Sequence, residues 1–136
     1  MLRALAPRSY LFLCVANSAR SQLAEGVARS LAPAGVTVAS AGSVPTQVRP
    51  EAIAVLQEIG LDISAHRSKP IDDVPPESVD AVVTLCGDEV CPAWLGQAHR
   101  VHWGLPDPAA VLGEGRLDAF RAARDELRRR LEVLFR

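Results

Sequence analysis

The sequence predicts a three-layer α/β domain built on a parallel sheet. Apolar runs of strand length alternate with stretches whose apolar residues recur at helical spacing, as expected where each strand reaches a parallel neighbour through a helical crossover. Three reactive residues, Cys14, Cys86 and Asp107, each fall at or just past the carboxyl end of one of those runs. Ligands of such sheets bind along that rim.

Ser9 to Cys14 (SYLFLC) reads as the first strand, followed by five residues and then Arg20-Ser21. From Ser21 to Leu31 the residues Leu23, Ala24, Val27, Ala28 and Leu31 make one apolar helical face, which Pro33 and Gly35 bring to an end. Val36 to Ala41 (VTVASA) alternates as a strand does, and Gly42 follows it. Pro50 suits the first position of a second helix, with Glu51 in its first turn and a stripe of Ile53, Leu56 and Ile59 closed by Gly60. Leu61 to Glu77 is rich in Pro, Asp and Ser and reads as a surface connection carrying His66, Lys69 and a solvated Asp72-Asp73 pair. Val79 to Leu85 (VDAVVTL) is nearly continuous in apolar character, as a parallel strand covered on both faces should be, and it runs straight into Cys86. Cys91 and Pro92 follow on a short loop, and Arg100 to Trp103 (RVHW) makes a short fourth strand before Gly104 and the stiff triplet Pro106-Asp107-Pro108. Leu117, Phe120, Ala123, Leu127, Leu131 and Leu134 form the stripe of a long last helix, with Arg128 to Arg130 on its solvated face. With no internal repeat and no boundary signal, residues 1–136 read as one domain.

Composition bounds the function classes. The 136 residues are 49% hydrophobic and 23% charged, with a formal net charge of −1, which is ordinary for a globular domain able to bury a core without disulfides or metals. That balance offers no electrostatic footprint for nucleic acid or an anionic membrane, although the basic residues are 14 arginines and a single lysine. Pro7 and Arg8 interrupt the one stretch that resembles a targeting peptide, and no run reaches membrane-spanning length. A cytoplasmic location is expected; thiols stay reduced there, so cysteines point to chemistry rather than to staples.

The stretch from Cys14 to Ser21 has the make-up of an oxyanion site. A loop that winds into a helix N-terminus presents unpaired N–H groups and a partial positive charge, so Val15, Ala16, Asn17, Ser18 and Ala19 are candidate anion-binding residues. The same field and the Arg20 charge favour a thiolate at Cys14. The planar fork of Arg20 suits two-oxygen capture of an oxyanion, and Ser21 is placed to donate a hydrogen bond to sulfur. A lone cysteine ending a strand is otherwise an ordinary buried residue; the spacing to Arg20-Ser21 sets this one apart. Neighbouring parallel strands lie about 4.8 Å apart and a disulfide spans about 4.4 to 6.8 Å between Cα atoms, so oxidation can pass from Cys14 to Cys86 and then to Cys91. Asp107 is the candidate general acid, against the alternative of a rigid Pro-Asp-Pro turn. A thiolate in such a cradle hydrolyses phosphate esters through a thiophosphate, which needs one cysteine. With arsenate it forms an adduct that a second thiol attacks, releasing arsenite and leaving a disulfide. Cys86 and Cys91 favour the second chemistry. A metal or arsenite binder using the three cysteines is the third reading; their spacing lacks a usual zinc pattern and leaves Arg20 and Asp107 without a role.

The motifs LFLCVANSARSQLAEG, VASAG, VVTLCGDEVCP and HWGLPDPA, spread over nearly the whole length, resemble the thioredoxin-coupled arsenate reductases of the low-molecular-weight tyrosine phosphatase superfamily. The resemblance implies a four-stranded parallel sheet, Cys14 as nucleophile, Arg20 and Ser21 in the anion loop, Asp107 as general acid, and Cys86 then Cys91 as resolving thiols. It implies no bound cofactor, with electrons coming from reduced thioredoxin and ultimately from thioredoxin reductase and NADPH, in a monomer serving arsenic detoxification. A low-molecular-weight tyrosine phosphatase is the alternative. Against it stand Gln22, where proline often follows Arg-Ser, and Ala109-Ala110 after Asp107-Pro108, a poor wall for a phenol ring. Departures from the commoner pattern are the short Cys86 to Cys91 interval, Ala16 in place of a frequent glycine, and Ala19 in place of a frequent cysteine. Some relatives bind potassium near the loop, and Asn17, Glu25 and Ser40 match positions associated with it. Lys69 stands where those proteins carry an acid, so its ammonium is expected to take the cation's place without a metal.

Overall fold

A computed structural model describes residues 7–86 and 98–136 of the chain. Its elements are β1 (Ser9–Cys14), α1 (Arg20–Leu31), β2 (Thr37–Gly42), α2 (Pro50–Gln57), β3 (Ala81–Thr84), β4 (His99–His102) and α3 (Gly115–Leu134). The four strands form one fully parallel sheet in the order β2-β1-β3-β4. This order puts β1, the strand ending in Cys14, at the centre, with Cys14 opposite Gly42 on one side and Leu13 opposite Thr84 on the other.

Period-two alternation sends the β1 side chains to two cores. Tyr10 and Phe12 join Leu23 and Val27 of α1, Val55 and Leu56 of α2, and Phe120, Leu127 and Leu131 of α3 in one cluster, so all three helices cover the same face. Burying each such large side chain contributes about 1.5 to 3 kcal/mol, which fixes the register of β1. Leu11 and Leu13 turn the other way and pack with Ala41, Val82, Val74 and Val79. The layer over that face is made by the segment that carries short 3₁₀ turns at Ile71–Asp73 and Pro76–Ser78.

The predicted elements all form, with shifted ends. β3 begins at Ala81 rather than Val79, because Pro75-Pro76 impose the second turn and Val79 caps it while still being buried. The Leu61 to Glu77 connection is less superficial than its composition suggests, since Ile63 and Val74 are buried in the two cores. Among the described residues no helix is long and apolar enough to cross a membrane.

Candidate active site

The loop between β1 and α1 is held from outside by its carbonyls. Val15 O accepts from Val44 N–H at 2.9 Å, Ala16 O from Thr46 N–H at 3.0 Å and Ser18 O from Arg49 N–H at 2.8 Å. Asn17 O takes the Ser68 hydroxyl at 2.6 Å and the Gln22 side-chain amide at 3.2 Å. The N–H groups of Ala16 to Ala19 meet no acceptor among the described residues. Ala19, at the N-cap of α1, has no side chain able to cap the helix, so the orphan donors of its first turn are left for an anion. Only one non-glycine residue among those described has positive φ, Asn17 at 49°. The left-handed position thus falls on Asn17, one residue after Ala16, a residue type that tolerates it.

Asn17 also orders the site with its side chain. Its Oδ1 accepts from Lys69 N–H at 2.9 Å, which assigns Nδ2 as the donor to Ser21 Oγ at 2.7 Å and to Ser40 Oγ at 2.9 Å. Ser40 then donates its hydroxyl to Glu25 Oε1 at 2.5 Å. Ser21 Oγ, already an acceptor, has its proton left for Cys14 Sγ at 2.9 Å. A buried chain of hydrogen bonds thus runs from the Glu25 carboxylate to the thiol. Cys14 is a free thiol and 2% exposed.

Arg20 and Asp107 close the other side. The Arg20 guanidinium donates from Nη1 to the carbonyls of Leu105 at 3.0 Å and Leu85 at 3.4 Å, and its Nη2 lies 4.0 Å from Asp107 Oδ2. Asp107 Oδ1 accepts from Ala109 N–H at 2.9 Å, so the carboxylate is held both as a turn cap and toward Arg20. The rigid turn expected of Pro-Asp-Pro forms, with the Asp107 carboxylate turned toward Arg20. Cys86, two residues past β3 and fully buried, is disulfide-bonded in this structure. Cys91 lies outside the described residues.

Around Glu25 the structure gathers more cations than the sequence suggested. Lys69 Nζ is 3.9 Å from Glu25 Oε1, but Arg29 Nη2 is nearer, 2.7 Å from Oε2, and His66 Nε2 stands at 3.8 Å from the same oxygen. Burial holds the His66 ring below the ordinary histidine value, against the pull of Glu25. Gln22 ties this group to the loop: its amide donates to Asn17 O and Arg67 O, so its Oε1 accepts from His66 Nδ1 at 3.0 Å. Sequence reasoning missed Arg29, Gln22, His66 and Ser68 as loop supports. The Glu25–Arg29 spacing of four was readable as a helical ion pair; the others meet the loop only through the tertiary fold. Gly42 was missed as well. A Cβ there would strike Val15 O and come within 2.8 Å of Asn17 N, so the loop fits only over a glycine.

Such a site can seat a tetrahedral oxyanion on main-chain donors over a thiol, with a guanidinium and a carboxyl at its mouth. Comparison with known proteins identifies the family. The family model for low molecular weight phosphotyrosine protein phosphatase matches residues 9–136. The arsenate reductase of Halalkalibacterium halodurans is 43% identical over 126 residues, covering 90% of this chain and 91% of that protein. The glutaredoxin arsenate reductase of Synechocystis is 38% identical over 129 residues, covering 93% and 95%. A solved structure of the thioredoxin-dependent arsenate reductase of Corynebacterium glutamicum superposes with a TM-score of 0.69 at 29% identity, over 93% of this chain and 61% of that one. The chain belongs to the low molecular weight phosphotyrosine protein phosphatase family, on its arsenate reductase side.

Proposed function

We propose that this enzyme reduces arsenate to arsenite through Cys14 and regenerates itself through Cys86 and Cys91. The observation that carries the reading is Cys86, disulfide-bonded beyond the strand next to that of Cys14, while Cys14 stays a free thiol. Hydrolysis of a phosphate ester has no use for a second thiol. Arsenate is seated on the loop N–H groups with Arg20 offsetting its charge; Cys14 Sγ attacks arsenic, and Asp107 protonates the oxygen that leaves as water. Cys86 next attacks Cys14 Sγ. The S–As bond breaks, its electron pair stays on arsenic, arsenic falls from the +5 to the +3 state, and arsenite leaves. Cys91 displaces Cys14 from that disulfide, and an external dithiol reduces the Cys86–Cys91 bond.

Thioredoxin, kept reduced by thioredoxin reductase and NADPH, is the donor on this reading, supported by the Corynebacterium glutamicum similarity. Glutaredoxin is the competitor, given the Synechocystis relative's name. The enzyme works as a cytoplasmic monomer without a metal or bound cofactor, and Lys69 supplies the charge beside Glu25 and Ser40. Its 3.9 Å approach to Glu25 supports that role; a marked gain in activity or melting temperature with potassium over sodium would overturn it. Because the anion cradle is the same, slow hydrolysis of small aryl phosphates accompanies the main reaction.

The test is arsenate-dependent NADPH consumption with thioredoxin and its reductase, for the wild type and for Cys86→Ser and Cys91→Ser. Both variants should lose turnover. A wild type that hydrolyses aryl phosphate but never consumes NADPH with arsenate refutes the reductase reading. Turnover with glutaredoxin and glutathione alone corrects only the donor.

A further inference from the structure

One polar cluster on the rim has no part in the chemistry so far. His102, the last residue of β4, pairs in register with Thr84, the last of β3, so both side chains stand on one face of the sheet. Thr84 Oγ1 and His102 Nδ1 are 2.7 Å apart. The ring lies over Gly104, where a Cβ would come within 2.9 Å of His102 Nε2 and 3.2 Å of the Cys86 carbonyl oxygen. His102 Nε2 and the Cys86 carbonyl oxygen therefore both border the space beside the Gly104 Cα. The ladder continues past β3: Leu85 N–H donates to Leu13 O at 2.9 Å, and Trp103 N–H donates to Thr84 O at 2.8 Å. Val83 and Leu85 point into the helix-side core while Val82 points to the other, so alternation sends Cys86 to the face of Thr84 and His102.

We propose that His102 takes the proton from the Cys86 thiol once the disulfide that Cys86 forms in this structure has been reduced and Cys86 becomes the second nucleophile. The inference rests on the reductase reading above. With Nδ1–H donating to Thr84 Oγ1, Nε2 carries the lone pair and accepts the thiol proton. The resulting thiolate attacks Cys14 Sγ, the S–S bond forms and the S–As bond breaks, with its electron pair leaving on arsenite. The exposed imidazolium then returns the proton to water. Thr84 holds the tautomer and the ring plane, and is a positioning residue.

The experiment is a single turnover: reduced enzyme, excess arsenate, no thioredoxin, with arsenite release followed in time. His102→Ala should release arsenite at least tenfold more slowly, and added imidazole should restore part of the rate. His102→Gln, which keeps a polar group for Thr84 but accepts no proton, should be as slow and should carry the comparison if the alanine variant fails to fold. Hydrolysis of para-nitrophenyl phosphate, which needs no second thiol, should stay within about twofold in both. Wild-type release by either variant, or slow release by His102→Ala that imidazole does not raise, overturns the proposal. A wild type that hydrolyses the aryl phosphate yet releases no arsenite overturns the reductase reading itself.

Discussion

Replacing Gly42 by alanine drives a methyl into the anion loop. Gly42 ends β2 beside Cys14, and its Cβ would lie 2.8 Å from Asn17 N and 3.0 Å from the Val15 carbonyl carbon. Uncrowded contacts of this kind need about 3.5 Å, so the loop has to recede by roughly 0.5 to 1 Å. The obstructing atoms are main chain, with no rotamer to absorb the shift. Receding also stretches the hydrogen bonds to Val44, Thr46 and Arg49 that hold the loop from outside. Overpacking of this order costs about 1 to 3 kcal/mol, and the stiffer unfolded chain of alanine returns about 0.4 to 1 kcal/mol. A net loss of about 1 to 2 kcal/mol lowers the melting temperature by roughly 3 to 8 °C in a domain of this size. Catalysis suffers more, because misplacing reacting groups by about 1 Å costs on the order of 100-fold. The assay is kcat/KM for arsenate, coupled to thioredoxin, and for para-nitrophenyl phosphate. Both should fall together, since both substrates use the same donors. Wild-type kcat/KM on both substrates would show that the loop is not fixed by its contact with Gly42.

Ser21→Ala removes the hydroxyl that donates to Cys14 Sγ; a charge-assisted bond is worth about 1.5 to 3 kcal/mol, so kcat/KM for either substrate should drop roughly 10- to 100-fold. A change below threefold would place the Ser21 proton elsewhere. Asn17→Ala deletes three hydrogen bonds, two of them buried, and puts alanine at φ 49°, so urea unfolding should show a loss of about 3 kcal/mol or more; a loss under 1 kcal/mol would contradict the hub. Hydrogen bonds from Arg121 and Arg124 hold the Glu58 carboxyl down at about 2. Its folded value lies below the unfolded one of about 4.3, so this stabilisation is complete above that pH and is lost as pH falls toward about 2. Melting temperature should therefore fall more steeply over that window in wild type than in Glu58→Gln, and parallel curves would refute the link.

What the sequence made legible is what lies close together along the chain. The spacing from Cys14 to Arg20-Ser21 needs only local geometry to become a loop over a thiol, so the loop, the helix that begins at Arg20 and the Ser21 contact could all be read before any fold was known. The apolar run from Ser9 to Cys14 likewise revealed β1, whereas the assignment of its side chains to two cores came from the fold. Strand ends were harder. Val79 is apolar enough to continue β3, but the prolines before it set the backbone, and burial alone does not make a strand.

The unread part of the site is the part assembled across the fold. Gly42 matters only because register places it against the loop, and Gln22 only because its amide spans Asn17, Arg67 and His66. Glu25 shows how the distinction affects function. Along the sequence it has one notable partner, Lys69, and the expectation was a single ammonium in a cation's place. In the fold its Oε2 is taken by Arg29 and faced by His66, while its Oε1 receives the Ser40 hydroxyl with Lys69 beyond. Removing the Lys69 charge therefore leaves Glu25 paired through Arg29, whereas removing Ser40 cuts the polar chain that ends on the Cys14 thiol. The orienting work in this cluster belongs to the hydroxyls, and Arg29 and Lys69 pair with Glu25 at its far end from the thiol.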